Sequence, residues 1–154
     1  MECECDKNRS SLTLRMLQEF PYLPSPLAVV DAALDLAEFK PNDVFVDLGC
    51  GDGTVLIRAA ERFSVFSVGF EVDSKFVKLA QTKAKASEFK NLIEIVYADL
   101  FRVDISRFNV VYVYPYPPVV GSLSEKIAIE CKKGSRILVH DYALKRLRPA
   151  KTLQ

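Results

Sequence analysis

The chain has 154 residues, of which 49% are hydrophobic and 27% charged, and its formal net charge is +1. This length suits one globular domain with a full core, and the composition excludes a disordered chain. A charge of +1 provides no global field to hold the protein on nucleic acid, because that binding depends on clustered Lys and Arg.

The N-terminal part of the chain predicts an arm leading into a first helix. Residues 1–10 are polar, charged and loose, and apolar residues at 12–20 form a short amphipathic helix that a proline ends. The prolines of Pro21–Pro26 favour an extended segment. Ser25 before a proline is typical of a helix N-cap followed by the first helical residue. Apolar spacing then predicts a helix over 26–39.

Predicted strands and helices alternate through the rest of the chain. The strands begin at Val44 and then cover 64–71, 92–97, 110–114 and 136–139. Of the helices between them, the first has an apolar face from Val55 to Phe63. The second is predicted to be capped by Asp73 or Ser74, with its lysines in water: Lys75, Lys78, Lys83 and Lys85. The last lies around 122–132 and is predicted to end at Gly134, in a left-handed cap.

This alternation predicts an α/β fold. Strands separated by helices form right-handed crossovers, so we expect a Rossmann-like, doubly wound, mostly parallel sheet. The domain is predicted at 25–154, behind an arm at 1–24. Few residues follow Tyr142, so the sheet is expected to be shortened to five strands, and its exposed edge can pair with a second copy in a homodimer.

A glycine-rich stretch follows the first predicted strand. Glycine occupies every second position at Gly49, Gly51 and Gly53, and the first of these lies two residues after Asp47. Glycine allows positive φ and close approach of the backbone to a ligand. The spacing differs from the dinucleotide pattern G-x-G-x-x-G, and an acid beside the loop disfavours a pyrophosphate. A ligand with a cationic end, such as S-adenosylmethionine (SAM), suits Asp47, and an ordinary glycine-rich turn is the alternative.

Acids also follow the second and third predicted strands. Glu71, at the end of the second strand, can accept hydrogen bonds from both ribose hydroxyls of a nucleoside, or it can cap the next helix. Asp99 suits an adenine amino group, with Leu100 and Phe101 packing on the ring. The order Asp-x-Gly-x-Gly-x-Gly, Glu, Asp favours a class I SAM-dependent methyltransferase.

Four motifs carry a narrower resemblance. They are Pro21-Tyr-Leu-Pro-Ser25, Asp47-Leu-Gly-Cys-Gly-Asp-Gly53, Val111-Tyr-Val-Tyr114 and His140-Asp-Tyr142. The run from Pro21 to Asp141 resembles the small archaeal protein-lysine methyltransferases. It equally resembles their mitochondrial relatives, which methylate the ATP synthase c subunit and the adenine nucleotide translocase.

The resemblance implies a reaction and a site: SAM as cofactor and lysine ε-amines of proteins as acceptors. The implied cofactor-binding residues are Tyr22, Pro24, Ser25, Asp47, Gly49, Gly51, Glu71, Asp99 and Leu100. The implied catalytic residues, which line a lysine channel or accept a proton through water, are Tyr114, Tyr116, His140 and Asp141. Displacement at a sulfonium-bound methyl needs positioning and desolvation more than a dedicated base, and an aromatic channel favours neutral lysine. For the strand-four tyrosines, core packing is the alternative.

Other functions stay open at this point. Nucleic-acid aminomethyltransferases carry Asn or Asp before Pro-Pro-aromatic, where the side chain accepts from the base amine. Here the stretch is Tyr114-Pro-Tyr-Pro-Pro118, which lacks that acceptor, so a nucleic-acid partner is not expected. A non-catalytic SAM-binding scaffold and a small-molecule methyltransferase are further alternatives.

The cysteines give no pattern of their own. The four are Cys3, Cys5, Cys50 and Cys131, and none forms C-x-x-C; with one histidine in the chain, no metal site or disulfide framework is predicted. Neither a signal peptide nor a long apolar run is present, so we expect a cytoplasmic setting and no membrane span.

Overall fold

The computed structural model describes residues 21–153. The predicted loose residues 1–10, the helix at 12–20 and most of the arm at 1–24 lie outside the described residues. Within them, no helix combines the length and apolarity that a membrane span requires.

Strands and α-helices alternate along the described chain. In order they are α1 Leu27–Leu36, β1 Val44–Leu48, α2 Thr54–Phe63, β2 Phe66–Glu71, α3 Ser74–Ala86, β3 Ile93–Tyr97, β4 Val110–Val113, α4 Val120–Glu130 and β5 Arg136–Val139. Short 3₁₀ turns at Lys90–Leu92 and Pro117–Val119 precede β3 and α4.

The strands form one parallel sheet in the order β3-β2-β1-β4-β5. The chain moves outward from β1 through β2 to β3, then crosses to β4 on the other side of β1. Loops that leave β1 and β4 therefore diverge, and the crevice between them is where ligands of such sheets bind. The expected Rossmann-like, mostly parallel fold is confirmed.

Hydrophobic clusters cover both faces of the sheet. Phe45 and Val46 are neighbours in β1 but belong to different clusters, because successive side chains of a strand point to opposite faces. Phe45 packs with Leu56 of α2, whereas Val46 packs with Phe108 and with Leu123 of α4. Burial on both faces explains why these strands are almost continuously apolar.

The last helix differs from its prediction. It ends at Glu130, where the cap residue Cys131 is extended. Gly134 does have φ +91°, but it lies in a turn in which Ser135 N–H donates to Lys132 O at 3.0 Å. The expectation that Gly134 caps the helix is therefore wrong, and the glycine instead turns the chain into β5.

Candidate functional site

A cleft of about 540 Å³ opens at the carboxyl ends of β1, β2 and β4. Its walls are largely apolar. Nine of the predicted site residues line it: Tyr22, Pro24, Ser25, Asp47, Gly49, Glu71, Leu100, Tyr114 and Tyr116. The position agrees with the switch point of the sheet.

The loop between β1 and α2 forms the floor of this cleft. Gly49, Gly51 and Gly53 all have positive φ, at +86°, +52° and +79°. The N–H of Gly49 donates to Phe70 O at 2.9 Å, which ties the loop to β2. A Cβ added at Gly51 would run into the ring of Tyr22. Glycine is therefore required here both for the backbone conformation and for the close approach of Tyr22.

Glu71 connects the loop to the end of β2. One carboxylate oxygen accepts from Gly51 N–H at 2.8 Å, and the other accepts from Val72 and Asp73 N–H, both at 2.9 Å. The helix cap is Asp73, which accepts from Lys75 N–H at 2.8 Å. Glu71 therefore does not cap α3, and its Oε2, with one donor, keeps capacity for a ribose hydroxyl from the cleft.

Asp47 is a buried carboxyl at this end of the cleft, with 2% of the residue exposed. Its desolvation, together with the charges of Glu71 and Asp52, raises its pKa well above the ordinary value. Among residues 21–153 its side chain has no hydrogen bond and no ion pair. A buried carboxyl without a partner fits a ligand that brings a cation, as the ammonium of SAM would.

Asp52 differs from Asp47 because it has a cation of its own. Lys83 Nζ lies 2.8 Å from its Oδ2 and also donates to the Thr54 hydroxyl at 2.8 Å. Burial opposes ionisation of Asp52, but the hydrogen bonds from Lys83 and Thr54 lower its pKa. Lys83 was expected in water with the other lysines of α3; it instead neutralises one of the acids beside the cleft.

Residues 21–26, here called the strap, cross the cleft before α1 begins. Every residue from Pro21 to Ser25 lines the cleft. The Tyr22 ring packs against Phe76 of α3, with ring centroids 4.4 Å apart, and rests over Gly51. One end of the strap is therefore fixed on the glycine loop and α3.

Ser25 fixes the other end of the strap. Its Oγ lies 3.0 Å from His140 Nδ1 and 3.1 Å from the Tyr112 hydroxyl. The N-cap of α1 is Pro26, which makes no side-chain cap. The prediction of Ser25 as N-cap is therefore wrong, because its hydroxyl bonds instead to Tyr112 in β4 and to His140 after β5.

An aromatic group forms the opposite end of the cleft. The Tyr114 hydroxyl donates to Asp141 Oδ2 at 2.8 Å, and its ring packs on His140 with centroids 4.0 Å apart. That hydrogen bond to Asp141, with burial, raises the pKa of Tyr114 to about 12. Burial and the charge of Glu71 raise the pKa of Tyr116. Both phenols therefore stay protonated near neutral pH.

Four predicted site residues lie outside the lining: Gly51, Asp99, His140 and Asp141. Asp99 accepts from Phe101 N–H at 2.9 Å and so shapes the turn after β3, whereas Leu100 and Phe101 reach the cleft. His140 sits behind Tyr114, with its side chain 11% exposed. Asp141 has φ +62° and directs its carboxylate to the Tyr114 hydroxyl.

Some lining residues were not predicted as part of the site: Asp52, Asp73, Phe76 and Tyr142. Two carried a signal in the sequence. Asp52 belongs to the glycine loop itself, and Tyr142 directly follows the His-Asp pair. Phe76 lies on the apolar face of α3, and the spacing of such residues does not distinguish a core position from a cleft wall.

Comparison with known proteins identifies relatives over most of the chain. A family model described as the ANTKMT methyltransferase domain matches residues 47–151. A protein-lysine N-methyltransferase of Saccharolobus islandicus (strain REY15A) is 32% identical over 135 residues, which is 87% of this chain and 84% of that protein.

Two further relatives differ in length and in acceptor. An adenine nucleotide translocase lysine N-methyltransferase of Mus musculus is 26% identical over 131 residues; these cover 85% of this chain but only 57% of that protein, so this chain spans little more than half its length. A crystal structure described as an RNA methyltransferase from Salinibacter ruber, in complex with S-adenosyl-L-homocysteine (SAH), is 37% identical, covers 86% of each chain and has a TM-score of 0.82.

Proposed function

The chain belongs to the ANTKMT methyltransferase domain family, and from that premise we propose that it methylates lysine ε-amines of proteins. That it is a methyltransferase that uses SAM follows from the family and from similarity to an SAH-bound methyltransferase. The acceptor is the part that we propose.

The cofactor site that we propose follows the charges of the cleft. Asp47 would face the ammonium of SAM, Glu71 would accept from the ribose hydroxyls, and Leu100 with Phe101 would pack on the adenine. The strap would cover the methionine end. When bound, SAM supplies a methyl group activated by its sulfonium, so the task left to the protein is positioning and exclusion of water.

One observation supports lysine as the acceptor: the Tyr114 hydroxyl donates its hydrogen to the Asp141 carboxylate. The phenol oxygen keeps lone pairs that can accept a hydrogen bond from an amine in the cleft. The Asp141 side chain is 52% exposed, and its charge attracts a lysine ammonium. Solvent at Asp141 then provides a route for the proton that the amine must lose before it attacks.

The direct test incubates the protein with methyl-labelled SAM and cell extract. We expect label that protease releases and nuclease does not, and that hydrolysis recovers as methyllysine. Label that survives protease and disappears with nuclease would exclude lysine. SAH binding by calorimetry without any label in either fraction would favour a SAM-binding scaffold instead.

RNA is the second candidate acceptor, and the 37% identity to a structure described as an RNA methyltransferase favours it. The chemistry after β4 opposes it. Tyr114-Pro-Tyr-Pro-Pro118 provides no Asn or Asp to accept from a base amine, and the charge of Asp141 repels a phosphate backbone. The nuclease arm of the same experiment separates the two candidates.

Two expectations about the cellular state also stay proposals. The terminal strand β5 offers an edge that a second copy can cover, and sedimentation at several concentrations tests for a homodimer. A cytoplasmic location stays a proposal, with which Cys50 and Cys131 agree because neither forms a disulfide among residues 21–153.

A further inference from the structure

His140 lies at the meeting point of the strap and the sheet. Its Nδ1 is 3.0 Å from Ser25 Oγ and 3.4 Å from the Tyr112 hydroxyl, which itself lies 3.1 Å from Ser25 Oγ. Ser25 lies 87 residues before Tyr112 in the sequence, and Tyr112 lies 28 residues before His140. The strap therefore has a tertiary anchor made of three side chains.

The surroundings of His140 select one hydrogen-bonding arrangement. Nε2 lies 3.5 Å from Asp141 Oδ1, and we assign the ring proton to that nitrogen because the carboxylate there favours it. Nδ1 is then an acceptor. With this assignment the Ser25 hydroxyl can donate to Nδ1 and the Tyr112 hydroxyl can donate to Ser25 Oγ, so that all three groups have a partner. The Tyr114 ring, 4.0 Å away between centroids, holds the imidazole in this orientation.

From this geometry we infer that His140 is a positioning residue that holds the strap closed over the cofactor cleft, and not the proton acceptor of the reaction. Its Nδ1 contacts Ser25 and its Nε2 faces Asp141, and its ring packs on Tyr114, which lines the cleft whereas His140 does not. Pro21–Ser25 form one wall of the cleft, so loss of the anchor opens that wall. The inference requires only cofactor binding and is independent of the acceptor.

The test measures SAH affinity by calorimetry, without any acceptor. His140→Phe keeps a ring against Tyr114 but removes the Nδ1 acceptor, and Ser25→Ala removes its donor. We expect each variant to bind SAH roughly fivefold to tenfold more weakly, the effect of one neutral hydrogen bond. The double variant should bind no more weakly than either single one, because both changes remove the same anchor.

A rescue variant distinguishes the positioning role of His140 from a role in proton transfer. His140→Asn places an amide oxygen near the position of Nδ1 and cannot relay a proton; we expect SAH affinity within about twofold of the wild type and nearly normal turnover at saturating SAM. Loss of turnover in that variant, with SAH affinity intact, would overturn the inference in favour of proton transfer. Additive losses in the double variant would overturn it as well.

A matched control checks for a merely structural effect. Ser135→Ala removes a partly buried hydroxyl whose bond to Phe108 O is 3.3 Å long, at the opposite end of β5. It should leave SAH affinity unchanged. If His140→Phe fails to fold, as thermal unfolding would show, Ser25→Ala and the Asn rescue still decide the question.

Discussion

Asp47→Asn should make the protein without cofactor more stable and its cofactor binding weaker. The carboxyl is buried beside Glu71 and Asp52, and within residues 21–153 it has no cation as partner. Asparagine has nearly the same shape but no charge to desolvate. The same substitution removes the group that we propose for the SAM ammonium, so stability and affinity should change in opposite directions.

The magnitudes follow from burial and charge. Removal of a buried, unpaired charge that lies beside two other acids is worth about 1–3 kcal/mol. For a chain of this length each kcal/mol shifts Tm by roughly 2–4 °C, so we expect Tm to rise by about 2–12 °C at pH 7. Loss of a charge-assisted hydrogen bond to the ammonium costs about 1.5–3 kcal/mol, which is roughly a 10- to 150-fold weaker affinity for SAH.

The pH dependence of the stability gain has a defined sign. Because the folded-state pKa of Asp47 is raised, the carboxyl stabilises the folded state fully below its unfolded-state value near 3.8, and this contribution is lost as pH rises through the folded-state pKa. The advantage of Asn over Asp should therefore be absent near pH 3.5 and grow toward neutral pH. Thermal unfolding across this range, with SAH calorimetry at pH 7, measures both effects.

Asp52→Asn is the matched control, because the Asp52 carboxylate is paired. Its pKa is lowered, so its stabilising contribution is present above the unfolded-state value and lost as pH falls through the folded-state pKa. Lys83 and Asp52 are 37% and 21% exposed, so the loss of their pair should cost under about 1 kcal/mol. A lower Tm for Asp47→Asn at pH 7, or unchanged SAH affinity, would refute the reasoning.

Three further predictions concern the aromatic end and the glycine loop. Tyr114→Phe removes the hydroxyl that donates to Asp141, and kcat should fall roughly 10- to 100-fold while SAH affinity stays within about twofold; normal turnover would assign Tyr114 to packing alone. The rate should rise with pH as more lysine becomes neutral, with no decline from tyrosinate below about pH 11, because the pKa of Tyr114 is about 12. Gly51→Ala should displace the Tyr22 ring and weaken SAH binding about tenfold, whereas Gly121→Ala, in a helix with open space at its Cβ, should stabilise the protein by about 0.5–1 kcal/mol.

The fold was predictable because burial leaves a clear pattern in the sequence. Parallel strands covered on both faces must be apolar at almost every position, as Val110–Val113 are, and each is followed by a turn and a helical period. The same logic predicts where a ligand would bind, because polar residues at the ends of buried strands collect at one edge of the sheet; Asp47 and Glu71 do line one cleft there, and their roles stay predictions.

What could not be predicted depends on partners distant in the sequence. Ser25 precedes a helix, and locally an N-cap is its best use; only the fold brings it to His140, 115 residues away. Lys83 falls on the polar face of its helix, and its ion pair with Asp52 spans 31 residues. In both cases a local propensity of about 1 kcal/mol or less competes with a tertiary contact, and the spacing of residues carries no information about that contact.

The two ends of the cleft are therefore relevant to different parts of the proposed function, one to the cofactor and the other to the acceptor. The acidic end, with Asp47 and Glu71, is the part that we propose for the ammonium and ribose of the cofactor, and that role is independent of the acceptor. The choice of acceptor must therefore depend on the β4 and β5 end, where Tyr114 and Asp141 meet. A lysine amine and a base amine of RNA can each donate to the phenol oxygen of Tyr114. The half-exposed carboxylate of Asp141, however, attracts a lysine side chain and repels the phosphates of RNA. This difference in charge, more than the shape of the cleft, favours lysine.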